Sequence, residues 1–105
     1  MITFIAHLRV SPENAGAFEA LMDYVCAMVA QNEPGVAYYA YAKSVDEPDT
    51  YVVTEVYRDR EAHAHHMQTQ WVQESLPKSA KLIEGKPEIR QYVTPGSEPA
   101  VRQTS

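Results

Sequence analysis

The segment YVVTEVYRDREAHAHHMQT, residues 51–69, joins a strand pattern to a helix pattern, and this junction decides the fold class. Its first half is rich in β-branched and aromatic residues, which are typical of a strand. Asp59 then stands where the N-cap of a helix is expected, and Glu61 places a negative charge in the first helical turn. We therefore predict a strand that ends near Arg58 and a helix that begins directly after it.

The chain that follows this segment supplies one more strand and a tail. The helical pattern continues to about Leu76, where Pro77 should break or kink the helix because proline has no amide hydrogen. Residues 87–93 (PEIRQYV) can form a last strand. Residues 95–105 are polar and have little potential to build a core, so we assign a domain over 1–94 and a C-terminal tail. We expect this tail to pack on another surface, for which a partner subunit is a candidate.

The chain that precedes the segment supplies two strands and a helix. Residues 2–10 (ITFIAHLRV) alternate as a strand does, and Ser11 and Pro12 mark the start of a helix. This helix should end near Gln31, and residues 36–43 (VAYYAYAK) form the predicted second strand. An apolar stripe at steps of three and four indicates that the helix buries one face. The stripe consists of Phe18, Leu21, Met22, Val25 and Val29.

The resulting order is strand, helix, strand, strand, helix, strand, which predicts an α+β fold of the ferredoxin-like βαββαβ type with an antiparallel sheet. Both helices then cover one face of the sheet, and the other face should be polar in a monomer. Apolar residues occur on both faces instead: Ile2, Phe4, Ala6 and Leu8 against Ile5, and Val36, Tyr38 and Ala40 against Ala37, Tyr39 and Tyr41. We therefore expect a homodimer that packs sheet against sheet.

Length and charge exclude several classes of function. With 105 residues a single domain is expected, and burial of a further face against a second copy is a common arrangement at this size. The formal net charge is -5 and no run of Lys or Arg occurs, so nucleic acid is not an expected partner. No apolar stretch is long enough for a membrane span, and the sequence start lacks signal-peptide features. We therefore predict a cytoplasmic protein. Cys26 stands alone and is expected to be a small apolar helix residue.

Three histidines fall within four positions of the second predicted helix. His63 and His66 can share a helix face, but His65 is turned about 160° away from His63. The helical zinc spacing His-x-x-x-His does not occur. The sequence therefore predicts no metal site.

His66 is the best candidate for a catalytic residue. It belongs to a stripe of near-helical spacing that ends on an apolar residue: Ala62, His66, Thr69, Gln73 and Leu76. This stripe places His66 on the inner face, with His65 beside it and His63 in solvent. An imidazole between helix and sheet can accept a proton near neutral pH, as a general base must. The alternative is a structural histidine that is hydrogen-bonded to Glu55 or to a backbone carbonyl.

Aromatic side chains dominate the two central predicted strands. Tyr39, Tyr41 and Trp71 are candidate substrate contacts, because aromatic rings stack on a flat ligand while polar tips orient its oxygens. The alternative is that most of these side chains are core or dimer contacts. Arg9 shares a face of the first strand with Ile5, and it could bind an oxyanion or pair with Glu55 across the sheet.

These residues resemble the antibiotic biosynthesis monooxygenase (ABM) family, whose members form dimeric α+β barrels. The resemblance covers roughly residues 2–93 and is carried by SPEN with AFEAL, by EPG, and by DEPDTYVVTEVYRDREAHAHHMQT. The family typically shows Glu-x-aromatic-x-Asp, then Glu-Ala and His-x-x-Thr. In this sequence these positions are Glu55, Tyr57, Asp59, Glu61, Ala62, His66 and Thr69. Many members carry a second histidine after the threonine, where this chain has Gln70 and Trp71.

The resemblance implies several possible activities. Similar proteins include quinol and anthrone oxygenases, haem-degrading oxygenases and an isomerase. Haem-degrading relatives carry a tryptophan where this chain has Tyr57, so haem is not expected. No flavin, nicotinamide or iron motif is visible, so an oxygenase of this kind would take its electrons from a quinol, an anthrone or a similar phenol. We therefore expect a cofactor-free monooxygenase with His66 as the base and dioxygen as co-substrate. The expected substrate contacts are Tyr39, Tyr41, Trp71, His65, Arg9 and Glu55. The alternatives are a proton-transfer isomerase acting on a small carbonyl compound and a ligand-binding or stress-associated dimer without turnover.

Overall fold

The computed structural model describes residues 1–101, which form one four-stranded antiparallel sheet with helices on one face. The elements are β1 (Ile2–Val10), α1 (Pro12–Asn32), β2 (Val36–Lys43), β3 (Thr50–Tyr57), α2 (Arg60–Gln68), α3 (Gln70–Leu82) and β4 (Ile83–Val93). The strand order is β2-β3-β1-β4, which confirms the predicted ferredoxin-like α+β fold. None of the helices within residues 1–101 is long and apolar enough to span a membrane.

The pairing register assigns each strand residue to one face of the sheet. Phe4 lies opposite Glu55 and Ala6 lies opposite Val53, and residues that are paired in this way share a face. This face packs on the helices and carries two buried clusters. One cluster consists of Ala6, Leu8, Val10, Phe18, Met22, Tyr51 and Val53, and the other of Ile2, Phe4, Tyr57 and Ala100. The opposite face, which we call the open face, carries no helix among the described residues.

A tight turn links α1 to β2 and fixes where the end of α1 meets α2. The amide of Glu33 donates to the Val29 carbonyl at 2.9 Å, and the amide of Val36 donates to the Glu33 carbonyl at 3.1 Å. Gly35 packs so closely on α2 that a Cβ atom at this position would lie 2.8 Å from the Cβ of Ala62. The turn therefore carries Glu33 toward the inner face of α2.

The second helical region breaks at Thr69 rather than at Pro77, where the sequence predicted a break or a kink. The backbone of Thr69 is extended, and its hydroxyl donates to the His66 carbonyl at 2.8 Å, which satisfies one of the carbonyls at the end of α2. Helix α3 then continues through Pro77 to Leu82. Burial of Val72 in α3 against the rest of the fold offsets the one backbone hydrogen bond that proline removes.

The last strand begins at Ile83 rather than at residue 87. Gly85 has a φ of 68°, which lies in the left-handed region that glycine adopts without strain. The pairing of β4 with β1 shifts its register at this point, between His7 and Arg9. A glycine in this conformation is typical of a β-bulge, so the strand passes through residues that resemble a turn in sequence.

The described part of the tail lies against its own chain. Ala100 is buried, and its amide donates to Oε1 of Gln91 at 2.7 Å while Nε2 of Gln91 donates to the Ala100 carbonyl at 3.3 Å. Arg60 forms an ion pair with Glu98 at 2.6 Å. Residues 102–105 lie outside the described residues, and packing of the tail on a partner subunit stays a prediction.

Candidate active site

A cavity of about 400 Å³ lies between the helices and the sheet. Its walls come from β1, β2, β3, α2, α3 and β4, and they consist of Phe4, Ala6, Tyr39, Glu55, His63, His66, Met67, Val72, Leu76 and Ile89. Most of these side chains are apolar, and the ionisable ones are Tyr39, Glu55, His63 and His66. Leu76 and Ile89 remain 48% and 49% exposed, so the cavity carries apolar residues at its solvent side.

His66 is buried at the inner face of α2, as the helical spacing predicted. It is only 2% exposed, and its Nδ1 atom lies 2.9 Å from Oε1 of Glu33. A carboxylate oxygen accepts a hydrogen bond, so Nδ1 is the donor in this contact. Nε2 faces Glu55, whose Oε1 lies 4.0 Å away. The Glu33–His66 pair therefore directs Nε2 of the imidazole toward Glu55 and the cavity.

Trp71 acts on this pair from outside the cavity. Its Nε1 atom donates to Oε2 of Glu33 at 2.7 Å, so both carboxylate oxygens of Glu33 have partners. Trp71 does not belong to the cavity wall, which differs from its predicted role as a substrate contact. It lies at the start of α3, and the break at Thr69 places it there.

Glu55 lies on β3 across the cavity from α2. Its Oε1 atom accepts a hydrogen bond from the hydroxyl of Tyr57. Burial raises the pKa of Glu55, while the bond from Tyr57 and the proximity of His66 act in the opposite direction. Burial and the neighbouring Glu55 also raise the pKa of Tyr57 far above its ordinary value, so the phenol keeps its hydrogen.

Two tyrosine rings hold the imidazole of His66. The ring of Tyr39 lies 5.2 Å from that of His66, and the ring of Tyr57 lies 5.3 Å from it. Burial raises the pKa of Tyr39 well above its ordinary value. Tyr39 belongs to the cavity wall, and its predicted contact with a substrate stays a prediction.

The other two histidines differ from the prediction: His63 faces the interior and His65 faces solvent. His63 is half-buried, stacks on Phe4 at 4.8 Å and belongs to the cavity wall, so its predicted exposure to solvent is wrong. His65 is exposed and is absent from the wall. The physical reason is helical geometry: residues three apart face the same way, so His63 turns inward together with His66. Burial, and to a smaller extent His66, lower the pKa of His63.

Arg9 and Tyr41 lie away from the cavity. Arg9 pairs with Thr50 and stands on the open face, whereas Glu55 stands on the helix-covered face, so the predicted Arg9–Glu55 contact is wrong. The alternation of side chains along a strand separates them. The hydroxyl of Tyr41 donates to Oδ1 of Asp23 on α1 at 2.7 Å. This bond directs Tyr41 toward α1 rather than toward the cavity.

Sequence reasoning missed Glu33 and misplaced His63. Glu33 precedes Pro34 and Gly35, and a carboxylate at a helix end before such a turn was the available signal. Its partner His66 is thirty-three positions away, so only the fold brings the two together. Within residues 1–101, no group of three or more His, Cys, Asp and Glu side chains is arranged to hold a metal ion.

Comparisons with known proteins agree with this architecture. The family model for antibiotic biosynthesis monooxygenase matches residues 1–77. A solved structure from Caulobacter crescentus, provisionally named an antibiotic biosynthesis monooxygenase, is 31% identical, with a TM-score of 0.83 over 87% of this chain and 86% of that chain. A Nitrosomonas europaea protein with the same provisional name is 21% identical, with a TM-score of 0.82 over 90% of this chain and 99% of that chain, and shows the fold alone.

A curated relative was found in Synechocystis. It is an uncharacterized protein, 29% identical over 91 residues, which correspond to 87% of this chain. The match spans 61% of the length of that relative. The family model covers most of the present chain, and the Caulobacter structure shares its fold. The chain therefore belongs to the antibiotic biosynthesis monooxygenase family.

Proposed function

We propose that the protein is a cofactor-independent monooxygenase that oxidises a small aromatic quinol, anthrone or polyketide-like phenol with dioxygen. The observation that carries this proposal is the Glu33–His66 pair, whose Nε2 atom faces Glu55 at the edge of an apolar cavity. Membership of the ABM family supports a function of this general type. The substrate and the reaction are our inference from the chemistry of the cavity.

The reaction requires a base more than it requires a cofactor. A phenol or anthrone becomes a strong reductant once it has lost a proton, and His66 is placed to take that proton. Oxidation of a ring CH2 group to a carbonyl inserts one atom of O2 and releases the other as water with the two hydrogens of that CH2. The substrate thus supplies all the electrons, and we propose that neither haem nor another cofactor is needed.

Each wall of the cavity has a part in this proposal. His66 accepts the proton, and Glu33 holds its ring with Nε2 free. Tyr39 and the apolar walls position an aromatic ring, and they exclude water that would hydrolyse or protonate a reactive intermediate. Glu55 contacts a polar group of the substrate at the same end as His66.

We also propose that the protein works as a homodimer. The open face carries Ile5, Val52, Val56 and the exposed tyrosines Tyr38 and Tyr92, which a second sheet would cover. A cytoplasmic location stays a prediction from the sequence.

The test is oxygen uptake by chelator-treated protein with a panel of naphthohydroquinones and anthrones. We expect uptake above the enzyme-free autoxidation rate, and a decrease of about 10²- to 10⁴-fold in the enzymatic rate for His66→Ala, as expected for loss of a general base. His65→Ala is the matched control, because His65 is exposed one position away on the same helix, and it should keep the rate. Uptake no faster than autoxidation across the panel would refute the oxygenase proposal for these substrates.

A proton-transfer isomerase is the second candidate, because the Glu33–His66 pair needs no oxygen to move a proton beside a carbonyl. Anaerobic incubation distinguishes the two activities. An isomerase would continue to exchange substrate hydrogen with deuterated water without oxygen, whereas the oxygenase would form no product. A binding protein without turnover would keep its ligand affinity in His66→Ala and show no rate to lose.

A further inference from the structure

Two carboxyl groups lie in or directly behind the cavity wall. Glu55 forms part of the wall, and Glu33 lies directly behind His66. Among residues 1–101, no Lys or Arg side chain belongs to the wall. Arg9, which the sequence suggested as an oxyanion partner, stands on the other face of the sheet. A ligand in the cavity therefore meets the carboxyl group of Glu55 without a facing Lys or Arg from the described chain, and His66 is paired with Glu33 at 2.9 Å.

The two carboxyl groups are not equally available to a ligand. Both oxygens of Glu33 are occupied, one by Nδ1 of His66 and the other by Nε1 of Trp71. In Glu55, Oε1 accepts the bond from Tyr57, and the side chain remains 20% exposed. A carboxylate has about four lone-pair positions, so Glu55 can accept a further hydrogen bond from a ligand.

His63 does not supply the missing positive charge. Its ring stacks on Phe4 at 4.8 Å and meets Tyr57 edge-on at 5.0 Å, so it sits in an aromatic environment. Burial lowers the pKa of His63, and the neutral ring is therefore favoured at neutral pH. In this form His63 adds a hydrogen-bonding edge to the wall without adding charge.

From these contacts we infer that the cavity selects an uncharged ligand whose hydrogen-bond donor points at Glu55, and that it rejects ligands bearing a carboxylate, sulfonate or phosphate. An anion would lose its hydration in an apolar cavity and face a carboxylate, and such like-charge contacts are strongly unfavourable. This inference rests on the proposed function, since it takes the cavity as the substrate site. It narrows the substrate to a neutral phenol or enol, and it excludes phosphorylated substrates for the isomerase candidate as well.

Isothermal titration calorimetry at neutral pH with three ligands of one skeleton tests this selection. The ligands are 2-naphthol, 2-methoxynaphthalene and 2-naphthoate, which are respectively a neutral donor, a neutral molecule without a donor, and an anion. We expect 2-naphthol to bind best and 2-naphthoate at least about tenfold more weakly, which corresponds to about 1.4 kcal/mol. Equal or tighter binding of 2-naphthoate, failure of 2-naphthol to bind, or equal binding of 2-methoxynaphthalene and 2-naphthol would overturn the inference.

A substitution at Glu55 tests whether this residue causes the preference for uncharged ligands. Glu55→Gln keeps an acceptor oxygen of similar placement but removes the charge, so the preference for 2-naphthol over 2-naphthoate should fall about tenfold. Glu61→Gln removes one charge from the exposed side of α2 and should leave the preference unchanged. An unchanged preference in folded Glu55→Gln, checked by circular dichroism, would contradict the assignment.

The experiment is independent of turnover. These ligands report binding without consuming oxygen, so charge selection can hold even if the oxygen-uptake experiment finds no activity. Conversely, enzymatic oxygen uptake together with tight binding of 2-naphthoate would overturn the charge selection and leave the oxygenase proposal intact.

Discussion

At the scale of single residues, the contact between Glu33 and His66 has the largest consequences. A buried carboxyl group is costly unless its oxygens are hydrogen-bonded, and Glu33 meets this condition through His66 and Trp71. The same bond fixes which nitrogen of His66 carries the hydrogen. One interaction thus stabilises the join between α1 and α2 and orients the ring of His66, which we propose as the base.

Replacing the carboxylate of Glu33 should prevent His66 from accepting a proton, although the His66 side chain is still present. In Glu33→Gln, the amide can donate to Nδ1 of His66, which moves the ring hydrogen to Nε2 and removes the free lone pair. We expect oxygen uptake to fall at least about tenfold. Nitrogen-15 chemical shifts of the His66 ring measure the tautomer directly, and they should show hydrogen on Nδ1 in the native protein and on Nε2 in the variant.

Trp71→Phe is the matched control for this prediction. It removes the second hydrogen bond to Glu33 but leaves the carboxylate that faces His66. The tautomer of His66 and most of the activity should persist, although the free energy of unfolding should decrease by about 1 kcal/mol for the lost bond. An Nε2–H tautomer in the native protein would contradict the assigned role of Glu33.

At the scale of elements, the turn at Pro34 and Gly35 sets the distance between the end of α1 and the side of α2. The amide of Arg58 donates to the Gly35 carbonyl at 3.0 Å, so the turn is also tied to the end of β3. A side chain at Gly35 has no room beside Ala62. Glycine is therefore needed here for steric reasons, because it lets α2, and with it His66, lie close to the turn.

Gly35→Ala should force α2 away from the turn. The added methyl group would lie 2.8 Å from the Cβ of Ala62, and overpacking of this kind typically costs about 1–3 kcal/mol. We expect a lower unfolding midpoint in urea and weaker activity, because the shift lengthens the bond between Glu33 and His66.

Gly16→Ala provides the comparison for Gly35→Ala. Gly16 lies in the second turn of α1, and a Cβ atom there meets nothing within 4 Å, so alanine should stabilise the protein by about 0.5–1 kcal/mol through helix propensity. Equal changes in the free energy of unfolding for the two variants would show that the close contact with α2 is not the reason for glycine at position 35.

At the scale of the whole molecule, the two faces of the sheet have different roles. The face under the helices holds the cavity, whereas the open face carries the apolar residues Ile5, Val52 and Val56. Tyr38 and Tyr92, which are 56% and 51% exposed, extend this surface over the outer strands β2 and β4. A second copy of the chain is the partner that we expect there.

A charge at the centre of the open face should separate the two copies. Val56 lies between Thr3 and Tyr38 on this face, so Val56→Lys would place an ammonium group within the proposed interface. Sedimentation velocity should show a dimer for the native protein and a monomer for Val56→Lys. Ala80→Lys is the control, because Ala80 is an exposed residue of α3, and this variant should remain a dimer. A native monomer at micromolar concentration would refute the dimer.

The sequence by itself determined the order of the elements, most of their bounds and the inward direction of His66. These features depend on local patterns: alternation along strands, steps of three and four along α1, and the cap at Asp59, whose side chain accepts from the amide of Ala62 at 2.8 Å. Each of these patterns involves residues only a few positions apart, so one segment of the sequence is enough to recognise it.

Only the tertiary structure decided the break at Thr69, the passage of α3 through Pro77, the pairing of Glu33 with His66 and the inward position of His63. Each of these depends on contacts between elements that are distant in sequence, such as the seating of α2 on Phe4 and on the turn at Gly35. The free energy of that packing outweighs local preferences, such as the tendency of proline to end a helix. These contacts join distant segments, so no single segment of the sequence predicts them.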